Sequence, residues 1–343
     1  MKVLFRADAS IQTGSGHIMR CLTLATALRA HADCHFICRE ESGHLAEVIR
    51  QQGFSVSLLN AAAPLQQQAD ALASLAALNT DYDLLIIDHY QLAAPYSHMM
   101  RRRCRYIMVI DDLANREHDC DILLDQNLLP DSETRYHGLL PVHCIPLTGP
   151  AYALLREEFY HSCPIQREAE RILVFFGGGD ADNLTSLTLQ ALTQLNFPGL
   201  KADIVIGAAN PARQQIEALC AALPGTELHI QCNYMARLMH QAALMIGAGG
   251  STHWERCYSG LPALVVTIAD NQLASTRYLA ELGACVWLGN STDISAGQLA
   301  AQIAYYLTQP AKLKAMAQQA KQLIPADADT HRVVTTLLSQ CRN

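Results

Sequence analysis

The chain is short of charge, of basic runs, of paired cysteines and of long apolar stretches, and each shortage closes off a class of function. Only 17% of its 343 residues are charged, and no Lys/Arg block is longer than Arg101-Arg102-Arg103. Phosphate backbones demand a broad basic footprint. With 32 acidic against 25 basic residues, a net charge of −7, no nucleic-acid partner is expected. No apolar run reaches the roughly 18 residues that span a bilayer, so no membrane partner is expected either. The opening Met1-Lys2-Val3-Leu4-Phe5-Arg6 turns polar too soon for the apolar core of an export signal. Twelve cysteines are scattered along the chain without a Cys-x-x-Cys pair. Such a set reads as reduced thiols of a cytoplasmic protein. Half of the residues are apolar, which excludes a disordered tail or a collagen-like chain.

What is present is a regular alternation of strand and helix patterns. Strands are predicted at Val3–Arg6, Cys34–Cys38, Val56–Leu59, Leu84–Asp88, Tyr106–Asp111 and Ile122–Leu124, with helices at His17–Ala30, Gly43–Gln52, Leu65–Leu78 and Tyr96–Arg103. A second series follows at Ile172–Phe176, Ala202–Ile206, Glu227–Ile230, Leu244–Ile246, Ala263–Val266 and Cys285–Leu288. Its helices include Asn183–Leu195, Pro211–Ala222 and His253–Ser259. Runs such as Leu84-Leu85-Ile86-Ile87 suit strands covered by helices on both faces. The fold class is therefore α/β, with two Rossmann-like lobes built on parallel sheets. The proline-rich stretch Pro141–Pro164 is the expected linker between a lobe of residues 1–150 and one of residues 165–343. The tail from Ala311 reads as two helices broken near Pro325, both counted with the second lobe.

Ligands of such sheets bind beyond the carboxyl ends of the strands, and two facing lobes would enclose a cleft. Gly14-Ser15-Gly16-His17 sits there, between the first strand and the first helix. It is a poor nicotinamide fingerprint, because Met19 stands where a third glycine is needed. A histidine at a helix N-terminus has its cationic form disfavoured by the helix dipole, which suits His17 to act as a general base. A packing role is the bland alternative. Asp8 is placed to orient His17 or hold a hydroxyl. Asp88-His89-Tyr90 and Asp111-Asp112 end neighbouring strands; the second pair could hold a cation but lacks a third ligand.

The second series carries Gly177-Gly178-Gly179-Asp180 and Gly249-Gly250-Ser251-Thr252, each between a strand and a helix. Neither has the Gly-Lys-Ser/Thr ending of a Walker loop. Together they suit a diphosphate held by backbone amides and hydroxyls. Glu255, one turn on, is placed to accept ribose hydroxyls, and Asp270-Asn271-Gln272 add polar groups at the same rim. The spacing of His31, Cys34, His35 and Cys38 tempts a zinc reading. In a strand, however, Cys34 and Cys38 share one face and His35 takes the other.

Arg6-x-Asp8-x-Ser10, then Gly14-x-Gly16-His17-x-x-Arg20-Cys21-Leu22, Ile86-Ile87-Asp88-His89-Tyr90 and Leu155-Arg156-Glu157-Glu158-Phe159 resemble the UDP-sugar hydrolases of pseudaminic acid biosynthesis. The resemblance covers essentially the whole chain. The second half is also similar to the nucleotide-sugar lobe of GT-B glycosyltransferases, through Gly249-Gly250-Ser251-x-x-x-Glu255 and Asn271-Gln272. This resemblance implies a GT-B-like fold with UDP in the second lobe, the sugar reaching toward the first, His17 as base, water as acceptor, and neither metal nor cofactor. Attack by one activated water implies inversion at the anomeric carbon. The sugar contacts expected are Arg6, Asp8, Gly14, Gly16, Arg20, Tyr90, Asn271 and Gln272. Those expected for UDP are Gly178, Gly179, Gly249, Gly250, Ser251, Thr252 and Glu255. The loop at Gly177–Asp180 departs from the Gly-Gly-Thr-Asp form of some relatives. A monomer acting on UDP-2,4-diacetamido-2,4,6-trideoxy-β-L-altrose is the leading expectation. A GT-B glycosyltransferase, a hydrolase of another UDP-sugar and a silent UDP-sugar-binding protein are the alternatives.

Overall fold

The computed structural model of the chain describes every residue except 162–163, 196, 326 and 343. The apolar runs form strands, and the breaks between them form helices, in two compact units: Met1–Leu154 with Asp327–Asn343, and Leu155–Ala326.

The first lobe contains β1 (Lys2–Ala7), α1 (Gly16–Leu28), β2 (Asp33–Arg39), α2 (Ala46–Gln51), β3 (Ser55–Leu59), α3 (Gln67–Ala77), β4 (Tyr82–Asp88), α4 (Ala94–Met100), β5 (Cys104–Ile110), β6 (Ile122–Asp125) and β7 (Ile145–Thr148). Its seven strands run in the order β3-β2-β1-β4-β5-β6-β7, and all the pairings are parallel. The strand order reverses between β1 and β4, where Ala7 pairs with Asp88. Such a switch point opens a crevice at the carboxyl ends of the two strands.

The second lobe contains β8 (Glu168–Phe175), α5 (Leu184–Thr193), β9 (Lys201–Ile206), α6 (Arg213–Ala222), β10 (Thr226–Ile230), α7 (Met235–Gln241), β11 (Ala242–Ala248), α8 (Thr252–Tyr258), β12 (Ala263–Thr267), α9 (Asp270–Glu281), β13 (Val286–Asn290), α10 (Ala296–Leu307) and α11 (Pro310–Gln322). Its parallel sheet has the order β10-β9-β8-β11-β12-β13, with the reversal between β8 and β11.

Two features, β7 and the last helix, depart from the expectations. The predicted linker is not a bare connector: it holds β7, an edge strand beside β6 that tolerates Pro146 because no ladder is needed on its outer side. Asp270-Asn271-Gln272, at the rim of the sheet, forms the first turn of α9. The last helix, α12 (Thr330–Arg342), does not stay with the second lobe. Its Val333, Val334 and Leu337 are buried in the first lobe's core with Ile18, Cys21 and Leu22 of α1.

Strand alternation sets the two faces of the first sheet. Val3, Phe5 and Ala7 of β1 pack with α1, whereas Leu4 packs with Leu85 and Ile87 of β4 and with Ala71 of α3 on the opposite face. That division decides where the polar residues at the strand ends point. Among the described residues, no helix is long and apolar enough to cross a membrane.

Candidate active site

Asp88 ends β4 on the same face as Ile86, the α1 face, and so meets the first turns of that helix. His17 Nδ1 lies 2.6 Å from Asp88 Oδ1. Arg20 grips the same carboxylate with Nε and Nη2, both at 2.5 Å. A bidentate guanidinium fixes the carboxylate plane. Burial alone would raise the Asp88 pKa, but the Arg20 charge and His17 hold it well below the ordinary carboxylate range. Arg20 Nη2 approaches His17 Nδ1 at 3.3 Å, longer than the carboxylate contact. A carboxylate only accepts, so Nδ1–H donates to Asp88, and Nε2 is the ring nitrogen left outside that pair.

Tyr90 packs edge-on to His17, ring centroids 4.6 Å apart, and donates to Asp112 Oδ2 at 3.1 Å. Arg20 Nη1 reaches the same Asp112 oxygen at 3.5 Å. Burial first, and then the Asp112 charge, push the Tyr90 pKa up, so the phenol remains a donor. His17, Arg20, Asp88, Tyr90 and Asp112 thus form one connected cluster at the β1/β4 switch point. The preceding turn is closed by Gly14 N–H donating to Ser10 O at 2.9 Å, with Gly14 at φ 76°, a conformation that disfavours a side chain. A Cβ at Gly14 or Gly16 would meet no atom within 4 Å, so both glycines border open space.

Arg6 and Asp8 lie elsewhere. They share the face of Leu4, beneath α3, and Arg6 is 0% exposed. Its Nε and Nη2 bind Asp70 at 3.0 and 2.8 Å, and its Nη1 binds Asp8 at 2.6 Å. Asp8 also accepts from Arg39 N and faces His89 Nε2 at 3.1 Å. Arg6 is therefore a buried structural cation, not a sugar contact. Asp8 does not orient His17, because strand alternation sends it to the opposite face; Asp88 takes that place.

In the second lobe, Gly247 of β11 pairs with Phe175 of β8, which sets the two glycine turns side by side. They behave differently. After β8, Asp180 turns back to accept from Leu184 N and Thr185 N at 2.9 Å each, capping α5. The first two amides of that helix are thus already occupied. Gly178 is fixed further by its carbonyl, which accepts from Gly207 N at 3.0 Å.

After β11, Gly249 and Gly250 lead through Ser251 into α8. A Cβ on Gly249 would come within 2.8 Å of Thr276 Oγ1 and 3.2 Å of His253 Nε2, so the turn lies flat on those side chains. Gln272 crosses the turn from α9, its carbonyl oxygen engaged by Ile268 N at 3.1 Å. Asn271 is in the same first turn of α9. Glu255, one turn beyond Ser251, is bound by Arg156 Nε at 2.7 Å, and Arg156 Nη1 reaches Glu158 at 3.0 Å. Glu158 in turn accepts from Ala236 N at the start of α7. The Leu155–Phe159 segment therefore fixes the Glu255 carboxylate.

The two metal-like constellations have other partners. Asp111 binds Arg116 and caps the amides of Leu113 and Ala114, while Asp112 faces Arg20 and Tyr90. Cys34 and Cys38 are in the core, and His35 holds the Ser55 and Ser57 hydroxyls on the other face. Among the described residues Asp203, Glu227 and His229 also stand close together, but Arg171 already occupies both Asp203 oxygens at 3.0 Å.

The sequence points to His17, Arg20, Tyr90 and Glu255 but not to Asp88 as the partner of His17, nor to Arg156 as that of Glu255. The signal for Asp88 was its position ending the strand beside β1. For Arg156 there was only its place in a recognisable segment.

The glycosyltransferase family 28 C-terminal domain matches residues 171–331. The UDP-2,4-diacetamido-2,4,6-trideoxy-β-L-altropyranose hydrolase of Campylobacter jejuni is 29% identical over 287 residues, 82% of this chain and 97% of its own length. The N-acetylglucosamine transferase of Stutzerimonas stutzeri that acts on a pyrophosphoryl-undecaprenol acceptor is 34% identical, over 54% of this chain and 53% of that protein. The crystal structure of Acinetobacter baumannii MurG superposes with a TM-score of 0.64 at 17% identity, covering 98% of this chain and 99% of that one. The fold is therefore that of the GT-B enzymes, and the resemblance to the UDP-sugar hydrolases holds along four-fifths of the chain.

Proposed function

We propose that the chain hydrolyses a UDP-linked sugar, with UDP-2,4-diacetamido-2,4,6-trideoxy-β-L-altrose as the substrate and UDP and the free sugar as products. The observation that carries the reading is the His17–Asp88 pair at the first lobe's switch point. Nδ1–H is held by a buried carboxylate, and Nε2 is free to take a proton from water. The 29% identity to a hydrolase of that name supports the choice of substrate.

UDP is a good leaving group, so the chemical demand is modest: one water must be positioned opposite the anomeric C–O bond and deprotonated as it attacks. His17 takes the proton, and Asp88, itself held by Arg20, stabilises the imidazolium that forms. A single displacement inverts the anomeric centre. Tyr90 and the Gly14 and Gly16 backbone serve the sugar from the first lobe, with Arg20 acting through Asp88. In the second lobe the amides of Gly249 and Gly250 and the hydroxyls of Ser251 and Thr252 receive the diphosphate as its charge grows. Gly178 and Gly179 contribute backbone alone, Asn271 and Gln272 face the sugar end, and Glu255 accepts the ribose hydroxyls.

The deciding experiment incubates the protein with that UDP-sugar and separately with UDP-N-acetylglucosamine, following free sugar and anomeric configuration by NMR. Release of inverted free sugar from the first compound alone is expected; no release from it sinks the reading. The family 28 match favours one alternative, transfer to an acceptor other than water. Turnover that appears only when an acceptor alcohol is added would establish it.

Glu255→Ala is expected to weaken UDP binding by roughly tenfold or more, since a hydrogen bond to a charged group contributes about 1.5–3 kcal/mol. Arg156 keeps Glu158 as a partner, so the loss measures ribose recognition rather than an orphaned charge. Calorimetric titration with UDP checks this, and unchanged affinity would remove Glu255 from the ribose.

A further inference from the structure

Four arginines are buried among the described residues: Arg6, Arg20, Arg39 and Arg256. Three of them have carboxylate partners. Arg6 meets Asp8 and Asp70, Arg20 meets Asp88, and Arg39 meets Glu41 and Asp70. Arg256 has none among the described residues. It is 1% exposed, and its acceptors are His253 Nδ1, at 3.1 Å from Nε and 2.9 Å from Nη2, and Ala284 O at 2.8 Å from Nη1.

Both acceptors are neutral. His253 is fully buried beside that cation, and burial first, then the Arg256 charge, keep its pKa well below the ordinary histidine value. Geometry requires the same state: Nδ1 accepts from Arg256, so the proton sits on Nε2, which donates to Thr276 Oγ1 at 2.9 Å. A buried cation without a counter-charge is costly, and folds generally avoid it. The other three buried arginines follow that rule.

The position of this one is informative. The His253 ring has Arg256 on its Nδ1 side and the back of the Gly249 turn on its Nε2 side. The guanidinium thus stands one imidazole behind the Gly249–Gly250 backbone. We infer that the missing counter-charge is a ligand's diphosphate, and that Arg256 is a positioning residue. Through the neutral His253 it sets a fixed positive field under the turn, which selects a nucleoside diphosphate over a neutral nucleoside. This inference rests on the reading that UDP binds at that turn. Arg256 does not touch the phosphates; it acts across a low-dielectric layer, where charge carries further than in water.

The test titrates UDP and uridine into wild type, Arg256→Gln and Arg256→Lys by calorimetry, at low salt and at high salt. Wild type binding UDP confirms the underlying site, and wild type binding no UDP overturns that reading and this inference with it. Given binding, Arg256→Gln should weaken UDP on the order of tenfold while leaving uridine nearly unchanged. Arg256→Lys should keep most of the UDP preference. A purely structural arginine would lower both affinities together or neither, and either result overturns the inference. If the Gln variant does not fold, Arg256→Met, which keeps the aliphatic stem and drops the charge, takes its place: the same selective loss of UDP supports the inference, and UDP and uridine moving together, or neither moving, overturns it. A UDP preference that collapses at high salt in wild type would also overturn it, because a buried cation is little screened.

Discussion

His17→Ala lowers kcat by roughly 10²–10⁴-fold, the loss expected of a general base, and leaves UDP affinity almost unchanged. The separation between the two measurements is the point. His17 lies in the first lobe with its Nδ1 committed to Asp88, and the groups assigned to UDP all belong to residues 155–326. Removing the imidazole therefore takes away the proposed proton acceptor and leaves the proposed nucleotide contacts in place. Asp88 stays satisfied by Arg20, so no buried carboxylate is orphaned and the variant should fold. Steady-state kinetics with the UDP-sugar, beside a UDP titration, give both numbers. Full activity in His17→Ala would remove the base. A parallel loss of UDP affinity would make His17 a binding residue instead.

Arg6→Leu unfolds the protein more easily by about 3–5 kcal/mol, the penalty for breaking a buried ion pair from one side. Its guanidinium neutralises two buried carboxylates, Asp8 and Asp70, and leucine leaves both facing an apolar side chain. The lower end of the range is expected. Asp8 retains the Arg39 amide and His89, and Asp70 retains a 3.7 Å approach from Arg39. Against a usual total of about 5–15 kcal/mol, even that share is large. Urea unfolding measures it. A sugar contact would behave in the opposite way, with an unchanged unfolding midpoint and a raised KM.

The Arg6 case shows where sequence stops being informative. Apolar runs bounded by polar breaks locate the strands, and glycine turns after them locate the two rims, because both signals are local. Which face a strand-end residue takes follows from alternation, but which helix covers that face does not. Arg6 and Asp88 look equally functional in the sequence. Only α3 over one face and α1 over the other separate a structural cation from a site carboxylate. Gly177–Asp180 and Gly249–Thr252 likewise read as equals until Asp180 is seen capping α5. The pairing of Arg156 with Glu255 spans 99 residues and has no local pattern at all. Edge strand β7 was hidden by its proline, and α12 gave its amphipathic pattern without naming the lobe that would receive it.

The return of α12 to the first lobe has a consequence for how the molecule is made. The second lobe is an insertion in the first, entered at residue 155 and left at residue 326. A chain synthesised from its N-terminus folds by units as they emerge. Residues 1–154 come out first, yet the surface of α1 that Val333, Val334 and Leu337 cover has to wait for α12. By then the whole second lobe has been available to fold. The lobe begun first is completed last, and its sheet stands on the ribosome with one apolar helix flank open until then.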